Sequence, residues 1–225
     1  MTAAVEQRLG ERTRLRAEFY DRTDRDLIFQ PLYDPRILAG KVFAPPLSAL
    51  YYNSLRGYSR GFEVFLQTAS ANRLTGWISY AYGHTQMREG VDHIAFPSDW
   101  DQRHSVNVYA GYRLRPSVNL SIRSIFGTGF PIPGFLTQIG TNYYLTTQRN
   151  GLRLGNYERT DFRVNKNWTK VKWKTTLYGE LINLTNQTNY RFDSFNGYNA
   201  TSRQAFISLD KLFPILPSVG VVLER

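Results

Sequence analysis

Three histidines, His84, His93 and His104, are the residues best suited to chemistry in this chain. Imidazole binds metals and moves protons near neutral pH. His84 and His104 stand near the strand ends that flank one segment, and His93 stands inside it. A metal site there is conceivable. No His-x-x-x-His spacing and no cysteine accompanies them, so polar residues at strand boundaries and in a loop are the stronger reading. Asp99 and Asp101 flank Trp100. Residues two apart share one face of an extended chain, so this spacing could pair two carboxylates. A turn followed by an interfacial aromatic residue is the simpler account. There is no Gly-x-Ser-x-Gly elbow. Gly127-Thr128-Gly129 lacks the lysine and the helix of a phosphate loop. Asn167-Trp168-Thr169, Asn183-Leu184-Thr185 and Asn199-Ala200-Thr201 match the glycosylation sequon by chance. No catalytic, cofactor-binding or metal-binding residue is assigned, no cofactor is expected, and the chain is not expected to be an enzyme.

The elements that carry these residues are strands. Ile78, Tyr80 and Tyr82 are large and apolar, and Ser79, Ala81 and Gly83 between them are small. Val106, Val108, Ala110 and Tyr112 alternate with Ser105, Asn107, Tyr109 and Gly111. Val118, Leu120 and Ile122 alternate with Asn119, Ser121 and Arg123. A period of two puts one set on each face of a sheet. Further strands are predicted over 11–21, 57–68, 158–166, 171–183 and 219–224, with extended pieces at 27–29 and 205–209. That makes about eight main strands, each near the 9–11 residues that cross a bilayer. Glu63, Gln67, Asn107, Arg123, Asp161, Arg163, Asn165 and Glu180 fall on the polar parity, where they would line a lumen.

Between the strands the connections alternate in length. Tight turns are predicted at 70–73, 113–116 and 167–170. Long segments run over 23–56, 86–100, 130–156 and 184–217. Hairpins with short turns at one end and long loops at the other describe an outer-membrane barrel, with the turns periplasmic and the loops extracellular. An even strand count would put both ends of the chain on the short-turn side. Any ligand contact is expected from loops 23–56, 129–156 or 185–216.

Composition agrees with a barrel and excludes a helical membrane protein. The mean hydropathy is −0.41, and no apolar run approaches the roughly 18 residues a spanning helix needs. A barrel needs only alternate residues apolar. Tyrosine, with 15 copies, leads the aromatics and suits a membrane–water boundary. The absence of cysteine removes any disulfide or thiolate site. A net charge of +10 suggests an anionic partner: lipid head groups, lipopolysaccharide or nucleic acid. The cations are scattered rather than blocked, which argues against nucleic acid.

Several motifs carry a family resemblance. Ser59-Arg60-Gly61-Phe62-Glu63 followed by Ser70-Ala71-Asn72-Arg73-Leu74-Thr75-Gly76-Trp77 resembles a barrel hairpin of TonB-dependent outer-membrane receptors. Asp99-Trp100-Asp101-Gln102-Arg103-His104 is similar to the segment entering a later strand, and Gly127-Thr128-Gly129-Phe130-Pro131 to the segment ending the next. Tyr157-Glu158-Arg159-Thr160-Asp161, Leu181-Ile182-Asn183-Leu184-Thr185-Asn186 and Leu216-Pro217-Ser218-Val219-Gly220-Val221 resemble the last strands, in the family's order.

The resemblance implies an all-β antiparallel transmembrane barrel of about 22 strands, with a plug and a TonB-binding box. Residues 1–225 would be its C-terminal portion, resembling the last eight strands, with plug and signal peptide absent and an end, Leu223-Glu224-Arg225, that lacks the family's usual terminal aromatic. The implied function is part of a TonB-dependent receptor in the bacterial outer membrane that takes up a scarce large nutrient of the siderophore, cobalamin or oligosaccharide class. Expected partners are outer-membrane lipid and lipopolysaccharide, the missing N-terminal barrel and plug, and TonB through that missing part, with no nucleic acid. The alternative is a self-contained eight-stranded barrel with an adhesion or structural role.

Overall fold

The computed structural model describes residues 1–90 and 93–225, with backbone alone at 70 and 71. In chain order the strands are β1 Thr2–Leu9, β2 Thr13–Phe29, β3 Arg36–Leu38, β4 Lys41–Phe43, β5 Tyr52–Ala71 and β6 Leu74–Glu89. Then come β7 Ala95–Pro97, β8 His104–Arg115, β9 Val118–Gly127, β10 Leu136–Ile139 and β11 Asn142–Leu145. The last are β12 Tyr157–Lys170, β13 Trp173–Ile182, β14 Tyr190–Tyr198, β15 Gln204–Lys211 and β16 Leu216–Glu224. Among the described residues there is no helix.

The main sheet is an antiparallel meander in the order β1-β2-β5-β6-β8-β9-β12-β13-β16, with β7 added beside β6. Every neighbouring pair along this path is antiparallel and sequential. Among the described residues β1 and β16 do not pair, so the sheet is an open arc.

Register shows why these residues form this wall. Across the sheet Ala17 faces Val64, Val64 faces Tyr80, Tyr80 faces Val106 and Val106 faces Phe126. A second row runs Ile122, Phe162, Leu181, Pro217. One face is therefore continuously apolar. Ser124 and Thr160 fall on that face and bond each other through their hydroxyls at 3.0 Å, which spares them an unpaired polar group in an apolar setting. Trp168 and Trp173 mark its short-turn edge, and Phe19, Phe62 and Tyr82 its long-loop edge. Aromatics at both margins of an apolar band match a membrane-spanning face.

The small residue at 83 also has a reason. Tyr20 lies over Gly61 and Gly83 on the inner face. A Cβ on Gly61 would sit 2.5 Å from the Tyr20 hydroxyl, and one on Gly83 2.9 Å from it.

Several sequence expectations need correction. Thr2–Leu9 is a strand that weak alternation concealed, so the path has nine members rather than eight. As a result the first strand begins at the long-loop end, where the Asp21 amide donates to the Met1 carbonyl at 2.9 Å, while β16 ends at the short-turn end. Asn167 to Lys170 are strand, because Trp168 pairs with Thr175, and Val171-Lys172 make the turn instead. Arg113 to Arg115 are also strand, paired across to Val118 and Asn119, which leaves Pro116-Ser117 as the turn. Finally, β6 runs to Glu89 inside the expected loop 86–100. Residues 91 and 92 of that loop lie outside the described residues.

Candidate functional site

The arc itself has almost no buried core, since one face is apolar and outward and the other polar. The buried apolar cluster instead joins the loops. Ile37, Ile132, Leu136, Leu145 and Ala205 form it, with Val42, Phe192 and Tyr198 against it. Those residues come from the three segments expected to meet a ligand, 23–56, 129–156 and 185–216. Backbone bonds stitch the same segments together: Ile37 donates to Thr146 at 3.0 Å and Leu145 to Arg203 at 2.9 Å. Hairpins β10–β11 and β14–β15 share one four-stranded sheet. The long loops are thus a single cap at one end of the wall.

Beneath the cap lies an arginine and aromatic cage. The Arg36 guanidinium sits 5.1 Å from the rings of Phe43 and Phe135. Arg149 sits 5.2 Å from Phe29 and Phe96, and is also paired with Asp34. Cation–π contact with an ion pair lets a buried guanidinium replace lost hydration. Here too the partners come from separate loops.

Asp101 is the centre of a second knot. Its side chain is fully buried. It accepts from the Thr85 amide at 2.7 Å, from Arg103 at 2.7 Å, and from Arg153. Arg153 also donates to the Asp101 carbonyl at 2.6 Å and the Gly129 carbonyl at 3.1 Å. Burial alone would push the carboxyl up; the Thr85 amide, then Arg153 and Arg103, outweigh it and hold it below its ordinary value. Asp99 is used separately: it accepts from Asn150 Nδ2 at 2.6 Å. The two carboxylates suggested by the sequence are therefore anchors for different partners. Trp100 between them is exposed and meets Phe130 edge-on at 6.4 Å.

Of the histidines, His104 and His84 share the outward face on neighbouring strands, each against tyrosine rings. The Tyr80 hydroxyl and His104 Nδ1 lie 2.9 Å apart, and His84 meets Tyr58 edge-on. His93 stays apart, at a backbone φ of 55°.

The polar parity forms the inner face as expected. Arg123 pairs in register with Asp161, and Arg163 with Glu180. Arg163 donates to Asn165 at 2.9 Å and lies 4.0 Å over the Tyr178 ring. Asp161 has a second duty at the loop end, where it accepts from the Asn183 amide at 3.0 Å and from Arg159. Asn183 itself is fully buried. Its Nδ2 donates to the carbonyls of Gln187 and Phe213, and its Oδ1 accepts from the Gln187 amide. Nothing local in the sequence shows that Asn183 closes the loop back onto Phe213. Phe65, Trp77 and Tyr109 form an aromatic row on the inner face at spacings of 6.0 and 6.2 Å. Their alternation with polar neighbours concealed it.

A sequential antiparallel arc with one apolar face, one polar face and one cap of packed loops is similar in fold to part of the barrel of solved TonB-dependent receptors. Two solved structures share it over 99% of this chain. One is the ferric-catecholate import receptor Fiu from E. coli K12, at a TM-score of 0.56 and 11% identity. The other is the ferripyoverdine receptor of the outer membrane of Pseudomonas aeruginosa, at 0.57 and 10% identity. The chain spans 26% of the length of each. No protein-family model and no curated protein sequence matches it.

Proposed function

We propose that this chain is the C-terminal part of the barrel of a TonB-dependent outer-membrane transporter, and that it contributes wall and ligand-facing loops to uptake of a scarce large nutrient. The observation that carries the reading is the cap: three loops far apart in sequence converge at one end of a wall whose two faces differ as lipid and lumen do. Both similar structures are receptors named for ferric chelates, which favours a ferric siderophore over cobalamin or an oligosaccharide. In this reading the inner face meets a plug supplied by the rest of the transporter, and TonB acts through that part. The outward face meets outer-membrane lipid and lipopolysaccharide. The open arc favours a larger barrel over a self-contained eight-stranded one, because unpaired strand edges in lipid cost on the order of several kcal/mol for each exposed group.

The mass of the native polypeptide in the outer-membrane fraction tests this. A product roughly three or more times the length of this chain, as about 22 strands and a plug require, supports the proposal. A membrane product of this length alone would replace it with the small-barrel reading.

A further inference from the structure

Arg56 on β5 and Arg88 on β6 are directly opposite each other. Like charges in that position repel. Neither makes an ion pair or side-chain hydrogen bond among the described residues, and the same is true of Arg25 nearby. Together with Arg60 they line a cavity of about 920 Å³ at the long-loop end of β2, β5 and β6, where Asp24 and Asp26 also stand and Asp24 is paired with Arg22 at 2.9 Å, so the arginines leave the cavity cationic. Arg60 is held over the Tyr58 ring at 4.6 Å and paired with Asp21 at 3.0 Å.

The side of the wall on which these arginines stand follows from register. Arg56, Tyr58 and Arg60 share the parity of Phe62 and Val64, and Arg88 shares that of Tyr82 and Tyr80. They are on the outward face, directly above the aromatic edge of the apolar band. A second cavity, of about 500 Å³, lies below on the same face and is lined by Ala3, Phe19, Phe62, Tyr82 and His84. Arg60 belongs to both cavities. An apolar groove at bilayer level thus opens upward into one where four arginines outnumber two aspartates. That is the outline of an amphiphile with an anionic head.

Height narrows the occupant. Strands rise about 3.3 Å per residue and tilt roughly 40° in such barrels, so Arg60 stands about 5 Å above the Phe62 row and Arg56 about 15 Å above it. A glycerophospholipid carries its phosphate only at the lower level. Arg56 and Arg88, with no ion pair among the described residues, suit a head group that carries phosphate well above the bilayer.

We infer that the Arg56, Arg60 and Arg88 cluster, with the groove at Phe19 and Phe62, binds the phosphorylated sugar head and an acyl chain of lipopolysaccharide. This rests on the outer-membrane reading proposed above and assigns that reading a site.

The full-length protein is purified from membranes in mild detergent, and its bound lipid is read by native mass spectrometry. The probes are lipopolysaccharide with a phosphorylated core, the same material stripped of phosphate, and phosphatidylglycerol. The wild-type protein is expected to retain the first and neither of the others. R56Q/R88Q should lower retention about tenfold or more, at the surface energy usual for each arginine near anionic lipid. R56K/R88K and the inner-face control R123Q should stay close to wild type. Equal retention by R56Q/R88Q, or equal binding of phosphatidylglycerol or of phosphate-free lipopolysaccharide, overturns the inference. The two lipid comparisons use wild-type protein, so they decide the matter even where R56Q/R88Q fails to fold. Absence of the protein from the outer membrane would remove the transporter reading as well; presence there without bound lipopolysaccharide removes only this site.

Discussion

Asp101 and Arg153 are 52 residues apart in sequence and meet in a buried, charge-assisted hydrogen bond between two loops. The pair, rather than either strand end, sets where segment 128–156 sits on the wall. Removing Arg153 leaves Asp101 with the Thr85 amide and Arg103, so the loss should fall below the roughly 3–5 kcal/mol of a buried charge left with no partner. Arg153→Ala should therefore free the loop without opening the wall. Limited proteolysis should cut the variant within 128–156 while heat-dependent gel mobility stays unchanged.

The same site has a pH signature. Its carboxyl is held below the ordinary aspartate value in the folded state. A depressed pKa contributes stability that is fully present above the unfolded value, about 3.9, and is lost as pH falls through the folded value. The knot should stay closed at neutral and mildly acidic pH and open only below the usual carboxylate range. Hydrogen exchange at the Thr85 amide, which donates to Asp101, reports it. Asp101→Asn should show fast exchange at neutral pH. An exchange rate in the wild type that already rises near pH 6 would contradict this account.

How much of this was legible in the sequence depends on the range of the signal. Faces of β6, β8 and β9 were plain, because alternation is a local property and one face is continuously apolar. β14 was invisible for a physical reason: register shifts between Phe192 and Ser194, and again between Phe195 and Tyr198, break the period of two. β1 was missed because Ala3, Val5 and Gln7 alternate too weakly with Ala4, Glu6 and Arg8. Asn167 read as a turn former, but pairing of Trp168 with Thr175 overrides local preference. The loop cap was legible only as three long loops. That Asn150 would bind Pro97 and Asp99, or Arg149 Asp34, depends on contacts across 50 to 115 residues, which alternation cannot encode.

Val108 and Asn107 are neighbours on β8 that point to opposite faces. Val108 faces Ile78 in the apolar band, and Asn107 faces Ser79 on the inner side. Arginine on a lipid face near mid-membrane costs about 2–4 kcal/mol. Val108→Arg should lose about that much folding stability in lipid, measured by denaturant titration of the purified protein in bilayers, while Asn107→Arg loses little. Equal losses at both positions would mean that neither face meets lipid, and the membrane orientation of the whole arc would fail.

Asn183 separates two contributions that usually travel together. It holds φ at 54°, which β-carbon-bearing residues adopt only at a cost, and its side chain makes three hydrogen bonds inside the loop. Asn183→Gly relieves the backbone but leaves the Phe213 carbonyl and the Gln187 groups without their partner, at about 1–3 kcal/mol for buried groups left unmet. Asn183→Ala loses the same bonds and keeps the strain, adding about 1 kcal/mol. The expected order of thermal stability in detergent is therefore wild type, then Gly, then Ala. If Gly matched wild type, the backbone would be the whole reason for asparagine here. If Ala matched Gly, the side-chain bonds would be, and closure of segment 183–215 would rest on Phe213 reaching back to this one amide.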